Sequence, residues 1–213
     1  YNREGRGFLL DFSPEINYHK HYINRYAFLF NEYIGNKYVY LPELSLRYTG
    51  QKTFQFDNSH KTIALYLGGE NKEFRKYPDE YAVQLLRLLN RQGYNLLLIG
   101  DENDNIKHTQ YAEEARIDHL INLTARTTIE GFINTIANVD LIITIDSSAL
   151  HIAPAVKTPF IALMGLSTSP TSTILPKVPL GRILKIENNL IREEDYIRNI
   201  TPDLILKTIS ELI

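Results

Sequence analysis

The residues best equipped for chemistry gather where two apolar runs end. Asp140 to Ile145 is followed by Asp146, Ser147 and Ser148, and His151 comes about one helical turn or so later. Pro159 to Met164 ends on Gly165 and opens into a loop of Ser167, Thr168, Ser169 and Pro170. A carboxylate at Asp146 can accept hydrogen bonds from sugar hydroxyls, and an imidazole at His151 can point into the same crevice. Ser147 and Ser148 sit where helix-start amides would face a phosphate, and Gly165 with Ser167 and Thr168 offers a second cradle of that kind. The local alternative is that Asp146 or Ser147 merely caps a helix while His151 packs partly buried.

Three further loops carry polar groups of the same character. Gly68 and Gly69 open the stretch GGENKEFRKYP, in which paired glycines allow close backbone approach to a ligand and Lys72, Arg75 and Lys76 can neutralise phosphate oxygens. The competing reading is a solvated loop. Gly100 to Asp104 places Glu102 where a carboxylate can accept the hydroxyls of a ribose, or where an acidic turn caps the next helix. Thr127 and Thr128 supply hydroxyls and free amides at a helix start, suited to an anion or to capping alone. No GxGxxG fingerprint follows an early strand, and there is no HExxH or adjacent aspartate pair, so ordinary dinucleotide binding and a metal site are both disfavoured.

These loops need strands to present them and helices to cover the strands. The alternation begins at Thr62 to Leu67 (strand), Asp79 to Gln92 (helix ending at Gly93) and Asn95 to Ile99 (strand). Ile106 to Ala115 and His119 to Leu123 follow as helix and strand. Thr127 with Glu130 reads as a capping box for a helix to about Asn138, whose Ile129, Phe132, Ile133 and Ile136 fit one buried stripe. After the two central strands, Ile183 to Ile186 is the last mainly apolar run, and Thr201 with Pro202 starts a final helix. This order predicts an α/β fold: a Rossmann-like open parallel sheet with helices on both faces and all strand exits along one edge.

The first part of the chain reads differently. Phe8 to Phe12 suits a short strand, and Tyr18 to Ile34 a helix with Tyr22, Tyr26, Phe30 and Tyr33 in one stripe, stopped at Gly35. Leu41 to Ser59 is a connector with at most a short strand. This boundary divides the chain into residues 1–58, a terminal helix and linker remnant, and 59–213, the Rossmann-like domain that the alternation builds. Tyr1 is no initiator methionine, and YNREGRGFLLDFSP reads as the interior of something longer. The aromatic stripe either packs on the remaining domain or promotes self-association.

The 213 residues are 44% hydrophobic and 23% charged, ordinary globular material, and a net charge of -2 gives no general attraction for nucleic acid. The absence of cysteine excludes disulfides and thiolate metal sites. No apolar run reaches the ~20 residues of a membrane span, and no secretory signal is visible.

LTARTT at Leu123 to Thr128, IDSSALH at Ile145 to His151, IAPAVKTPFIALMGLSTSP at Ile152 to Pro170 and RKYP at Arg75 to Pro78 together carry a resemblance. They are similar to motifs of glycosyltransferase family 9, the heptosyltransferases that move a heptose from ADP-heptose to lipopolysaccharide core. The chain looks like their C-terminal, donor-binding domain, one half of a GT-B architecture. The resemblance implies inverting transfer without a metal and with no cofactor beyond a nucleotide-diphosphate sugar donor. It places the base in an N-terminal domain, Arg75 on the diphosphate, Asp146 on the donor sugar, His151 and Ser147 in the same pocket, and Glu102 on the ribose. It further implies a glycan or lipopolysaccharide acceptor and a cytoplasmic protein at the inner face of the inner membrane, peripherally associated. Where the family has glycine this chain has Ala125 and Ser148, where it has lysine Arg126, and where it has tryptophan Tyr77. Two other readings share the fold: a sugar-nucleotide epimerase, and a nonenzymatic nucleotide-binding or interaction module, the latter supported by Ala125 and Ser148.

Overall fold

The computed structural model describes residues 22–35, 45–56, 59–68, 75–165, 179–186 and 192–213. The expected strand at Phe8 to Phe12, and Gly69, Ser167 and Thr168 among the candidate site residues, lie outside the described residues. Spatial clustering divides the chain into two compact units, residues 1–43 with 168–175 and residues 44–167 with 176–213. In the first, helix α1 spans Tyr22–Ile34 and stops at Gly35, whose φ of +69° is the left-handed geometry that glycine adopts without steric cost. Phe30 and Tyr33 of its aromatic stripe stand exposed.

The second unit is built on six parallel strands: β1 Thr62–Tyr66, β2 Asn95–Leu98, β3 Leu120–Asn122, β4 Leu141–Ile145, β5 Phe160–Leu163 and β6 Gly181–Leu184. Their order is β3-β2-β1-β4-β5-β6. The four inner strands TIALY, NLLL, LIITI and FIAL are buried along their whole length. Uninterrupted apolar sequence is what a parallel strand covered on both faces requires. Period-two alternation then divides each strand between two cores. Ile63, Leu65, Leu96, Leu98, Leu141, Ile143, Ile161 and Leu163 share a cluster with helices α2 (Asp79–Arg91), α3 (Asn105–Ala115) and α6 (Pro202–Ile209). The intervening residues face α4 (Ile129–Ala137) and α5 (Ala149–Ala155), with Tyr66 meeting Phe132 edge to face at 6.2 Å. Helices thus cover both faces, as the alternation predicts.

Several boundaries differ from expectation for local reasons. The cap of α4 is Thr128, whose hydroxyl accepts the Gly131 N–H at 3.1 Å, so the expected Thr127–Glu130 box is displaced by one residue. Ile129, expected in the buried stripe, is 83% exposed because α4 turns its first residue away from the sheet; Ile136 is fully buried. β6 begins at Gly181, before the apolar run at Ile183, and ends at Leu184. Gly181 pairs with Phe160, and a β-carbon there would come within 2.1 Å of the Phe160 ring. The final helix starts as expected, with Thr201 accepting from Leu204 N–H and Pro202 in the first turn.

Residues 45–56 contain no helix or strand but are lashed to this unit. Leu46 N–H donates to Ala155 O, Gly50 N–H to Asn134 Oδ1, and Asn134 Nδ2 to Thr49 Oγ1, while the Thr53 and Thr135 hydroxyls bond at 2.6 Å. These ties explain why the compact unit begins at Leu44 rather than at residue 59.

Candidate functional site

In this strand order the chain runs outward from β1 through β2 to β3, then returns to β4 on the other side of β1. The carboxyl ends of β1 and β4 flank the switch point, where open α/β sheets leave a crevice. β1 exits through Leu67 and Gly68, both buried, and β4 exits directly into Asp146. At the far end of the β1 exit, Tyr77 N–H donates to Leu67 O at 3.2 Å and closes the base of the connection. Arg75 is thereby carried to the neighbouring strand end, where its Nη2 lies 3.5 Å from Asp146 Oδ2. Their side chains are only 19% and 15% exposed. Opposite charges largely withdrawn from water at a sheet switch point form a polar centre able to grip a ligand carrying both anionic and hydroxyl groups.

The other β4-exit residues divide between capping and exposure. Ser147 Oγ bonds the Thr144 hydroxyl at 2.9 Å and accepts from Ala149 N–H at 3.2 Å, so it organises the start of α5. Ser148 and His151 are exposed, with His151 N–H donating to Ser148 O. His151, expected to point into the crevice or pack partly buried, occupies an exposed position on α5. Gly165 is buried two residues beyond β5. Lys76 is partly buried, and its charge reaches Asp79 at the start of α2. Burial pulls the Asp79 carboxyl up, but hydrogen bonds from Lys107 and Tyr111 and the charges of Lys107 and Lys76 outweigh it, leaving the pKa lowered.

The β2 exit holds a residue that sequence reasoning passed over. Glu102 is exposed in a single 3-10 turn, Glu102–Asp104, while Asp104 is 3% exposed. The Asp104 carboxylate occupies the space beside both glycines: a β-carbon on Gly68 would lie 1.8 Å from its Oδ1, and one on Gly100 2.7 Å from its Oδ2. The sequence reading gives Gly68 a close backbone approach to a ligand; the space its side chain would fill is taken by the Asp104 carboxylate. Asp104 Oδ2 also accepts from Asp101 N–H, and Asp101 Oδ1 from Asn103 N–H, which makes the acidic turn a reciprocal cap.

Beyond β3, Thr124 is buried and Ala125 has a φ of +59°, held by its N–H to Gly100 O. This left-handed geometry explains why glycine suits the position. Thr127 is half-buried, and the Thr128 hydroxyl is engaged in capping α4. Beneath this loop His108 is fully buried, its Nδ1 2.7 Å from Thr124 Oγ1 and its Nε2 without a hydrogen bond. Burial lowers the His108 pKa to about 4, against a smaller upward pull from Asp101. The structure therefore brings Gly68, Arg75, Asp146 and Ser147 together at the switch point, sets Glu102 and the Thr127–Thr128 pair at the β2 and β3 exits, and Gly165 at the β5 exit. Among the described residues no group of three or more His, Asp or Glu side chains is placed to hold a metal ion.

The sequence model described as Glycosyltransferase family 9 (heptosyltransferase) matches residues 2–194. Lipooligosaccharide heptosyltransferase 2 of Haemophilus influenzae is 30% identical over 158 residues, 68% of this chain and 45% of that protein. The chain spans about half the length of the curated relatives it matches. The structure of E. coli ADP-heptose LPS heptosyltransferase II superposes with a TM-score of 0.61 at 23% identity, over 73% of this chain and 47% of that one. E. coli heptosyltransferase WaaC with ADP-2-deoxy-2-fluoro heptose gives 0.64 at 15% identity, over 96% and 60%. At these identities the structural likeness is one of fold; the family rests on the sequence match, and by it the chain belongs to glycosyltransferase family 9, the heptosyltransferases.

Proposed function

We propose that this chain supplies the donor-binding half of a heptosyltransferase, holding ADP-heptose for inverting, metal-independent transfer to a lipopolysaccharide or other glycan acceptor. The observation that carries the reading is the Arg75–Asp146 pair at the switch point between β1 and β4. The guanidinium takes the diphosphate, and the carboxylate takes hydroxyls of the sugar. Ser147, Ser148 and His151 follow that carboxylate at the β4 exit and Gly165 stands at the β5 exit; Ser167 and Thr168, outside the described residues, are assigned to the donor from the sequence alone. Lys76, Thr127 and Thr128 add to the anion-binding rim, and Glu102 reaches the ribose. Support also comes from the relatives, which are named as heptosyltransferases, and from a neighbour of the same fold, E. coli WaaC with ADP-2-deoxy-2-fluoro heptose.

In the transfer step the acceptor oxygen bonds to the anomeric carbon as the bond from that carbon to the diphosphate oxygen breaks. ADP departs with the bonding pair, and the acceptor proton goes to a base outside the residues assigned here. Arg75 opposes the charge that develops on the leaving group, an interaction worth more in the transition state than in the bound donor. The reaction would take place at the cytoplasmic face of the inner membrane. No described helix is long and apolar enough to cross a membrane.

The test of the sugar contact compares ADP-heptose with ADP on wild type and Asp146→Asn. Asp146 should make ADP-heptose the tighter ligand, and Asp146→Asn should cut that advantage by about tenfold while ADP itself changes little. Equal losses for both ligands, or none for either, would remove Asp146 from the sugar.

A further inference from the structure

Resting on the donor-site reading above, we infer that Tyr77 is a positioning residue for Arg75, coupling the nucleotide grip to the turn that precedes the last helix. Arg75 sits two residues before Tyr77, and Tyr77 is pinned at three points. Its N–H donates to Leu67 O at 3.2 Å, at the end of β1. Its hydroxyl donates to Ile200 O at 2.8 Å, a buried bond across 123 positions of sequence. Its fully buried ring packs against Tyr81 of α2 with centroids 6.0 Å apart. Burial pushes the phenol well above its ordinary pKa, with Tyr81 and Asp203 adding, so it remains a neutral donor at every working pH.

Ile200 closes the 3-10 turn Glu193–Asn199 and immediately precedes Thr201, the cap of α6. The same turn is joined to α2 by Arg198 and Glu80, 3.4 Å apart at the surface. A continuous physical path therefore runs from the start of α6 through Ile200 O and the Tyr77 phenol to Arg75 and across to Asp146. Without the hydroxyl, the ring still fills its hole, but the Ile200 carbonyl is left unpaired in the interior and the backbone that carries Arg75 loses its distant anchor. Tyr77 acts on the ligand only through Arg75, which is what the test must separate from a general loss of stability.

The experiment uses wild type, Tyr77→Phe, Arg75→Ala and the double variant, with Ile136→Val as a control that thins a buried site in α4. Two quantities are read: the Arg75 Nε–H NMR signal in the free protein, assigned by its disappearance in Arg75→Ala, and the Kd for ADP. Tyr77→Phe should move the Nε–H signal toward the fast-exchanging behaviour of exposed arginines and weaken ADP about tenfold. In the Arg75→Ala background the same change should alter the ADP Kd by less than about twofold, the mark of two residues acting as one unit. Ile136→Val should leave both readings in place. An unmoved Nε–H signal in Tyr77→Phe, or an equal ADP loss with and without Arg75, would overturn the inference. If wild type fails to bind ADP while the signal still moves, the donor reading falls and the positioning stands. If ADP weakens with the signal fixed, the reverse holds.

Discussion

At the scale of single residues, the candidate site depends on groups whose roles only their tertiary neighbours reveal. Gly68 is conspicuous in the sequence, but the reason it must be small is the Asp104 carboxylate that fills its missing side chain. Gly68→Ala is therefore expected to lower unfolding free energy by about 3 kcal/mol in urea titrations, from overpacking. Asp104→Ala should recover part of that loss in the double variant, and strictly additive losses would show that the two do not share this space. His108 makes a second case. Its neutral form is the one the fold accepts, with a folded pKa of about 4 against an ordinary 6.5. The unfolded chain binds the proton more readily, so this contribution is complete above pH 6.5 and is lost as pH falls toward 4. The loss is on the order of 3 kcal/mol, and His108→Gln should flatten the stability profile across that window. Neither Asp104 nor His108 was legible, because helix periodicity ranks apolar positions. In α3 it is His108 that is buried while Ile106 stands 73% exposed. Asp146 and Arg75 were legible as types at loop positions; their approach to 3.5 Å was not.

At the scale of elements, the strands were the most readable part of the chain. Burial on both faces leaves an apolar run with sharp ends, and the four inner strands lie within one or two residues of their expected limits. Helix starts were harder wherever two hydroxyl residues stand side by side. Thr127 and Thr128 have nearly the same capping chemistry, and only the backbone decides between them: Thr128 is extended, with its hydroxyl on Gly131 N–H. Thermal unfolding should separate them, with Thr128→Ala costing about 1 kcal/mol and Thr127→Ala close to nothing. The opposite ranking would restore the Thr127 cap. β6 escaped for a different reason. Its first residue, Gly181, belongs to the strand because the Phe160 ring lies over it, a pairing that no local pattern announces. The connector after α1 likewise reads as linker sequence, yet residues 45–56 are hydrogen-bonded to α4 through polar side chains and to α5 through the backbone.

At the scale of the molecule, alternating strands and helices predict an open parallel sheet, and the observed order β3-β2-β1-β4-β5-β6 adds where its crevice lies. Strand order is set by which neighbours complete the two buried layers, a property of the whole set of strands, so it could be bounded by connection rules but not read off the chain. That order joins the RKYP and IDSSALH motifs, which stand far apart in sequence, at adjacent strand ends. The central claim is that this junction grips a nucleoside diphosphate through Arg75. Calorimetric titration of ADP, with UDP and GDP for comparison, on wild type and Arg75→Ala tests it most directly. The account predicts selective ADP binding and a Kd raised at least about tenfold by Arg75→Ala. A folded wild-type protein that binds none of the three, or ADP binding indifferent to Arg75→Ala, would contradict it.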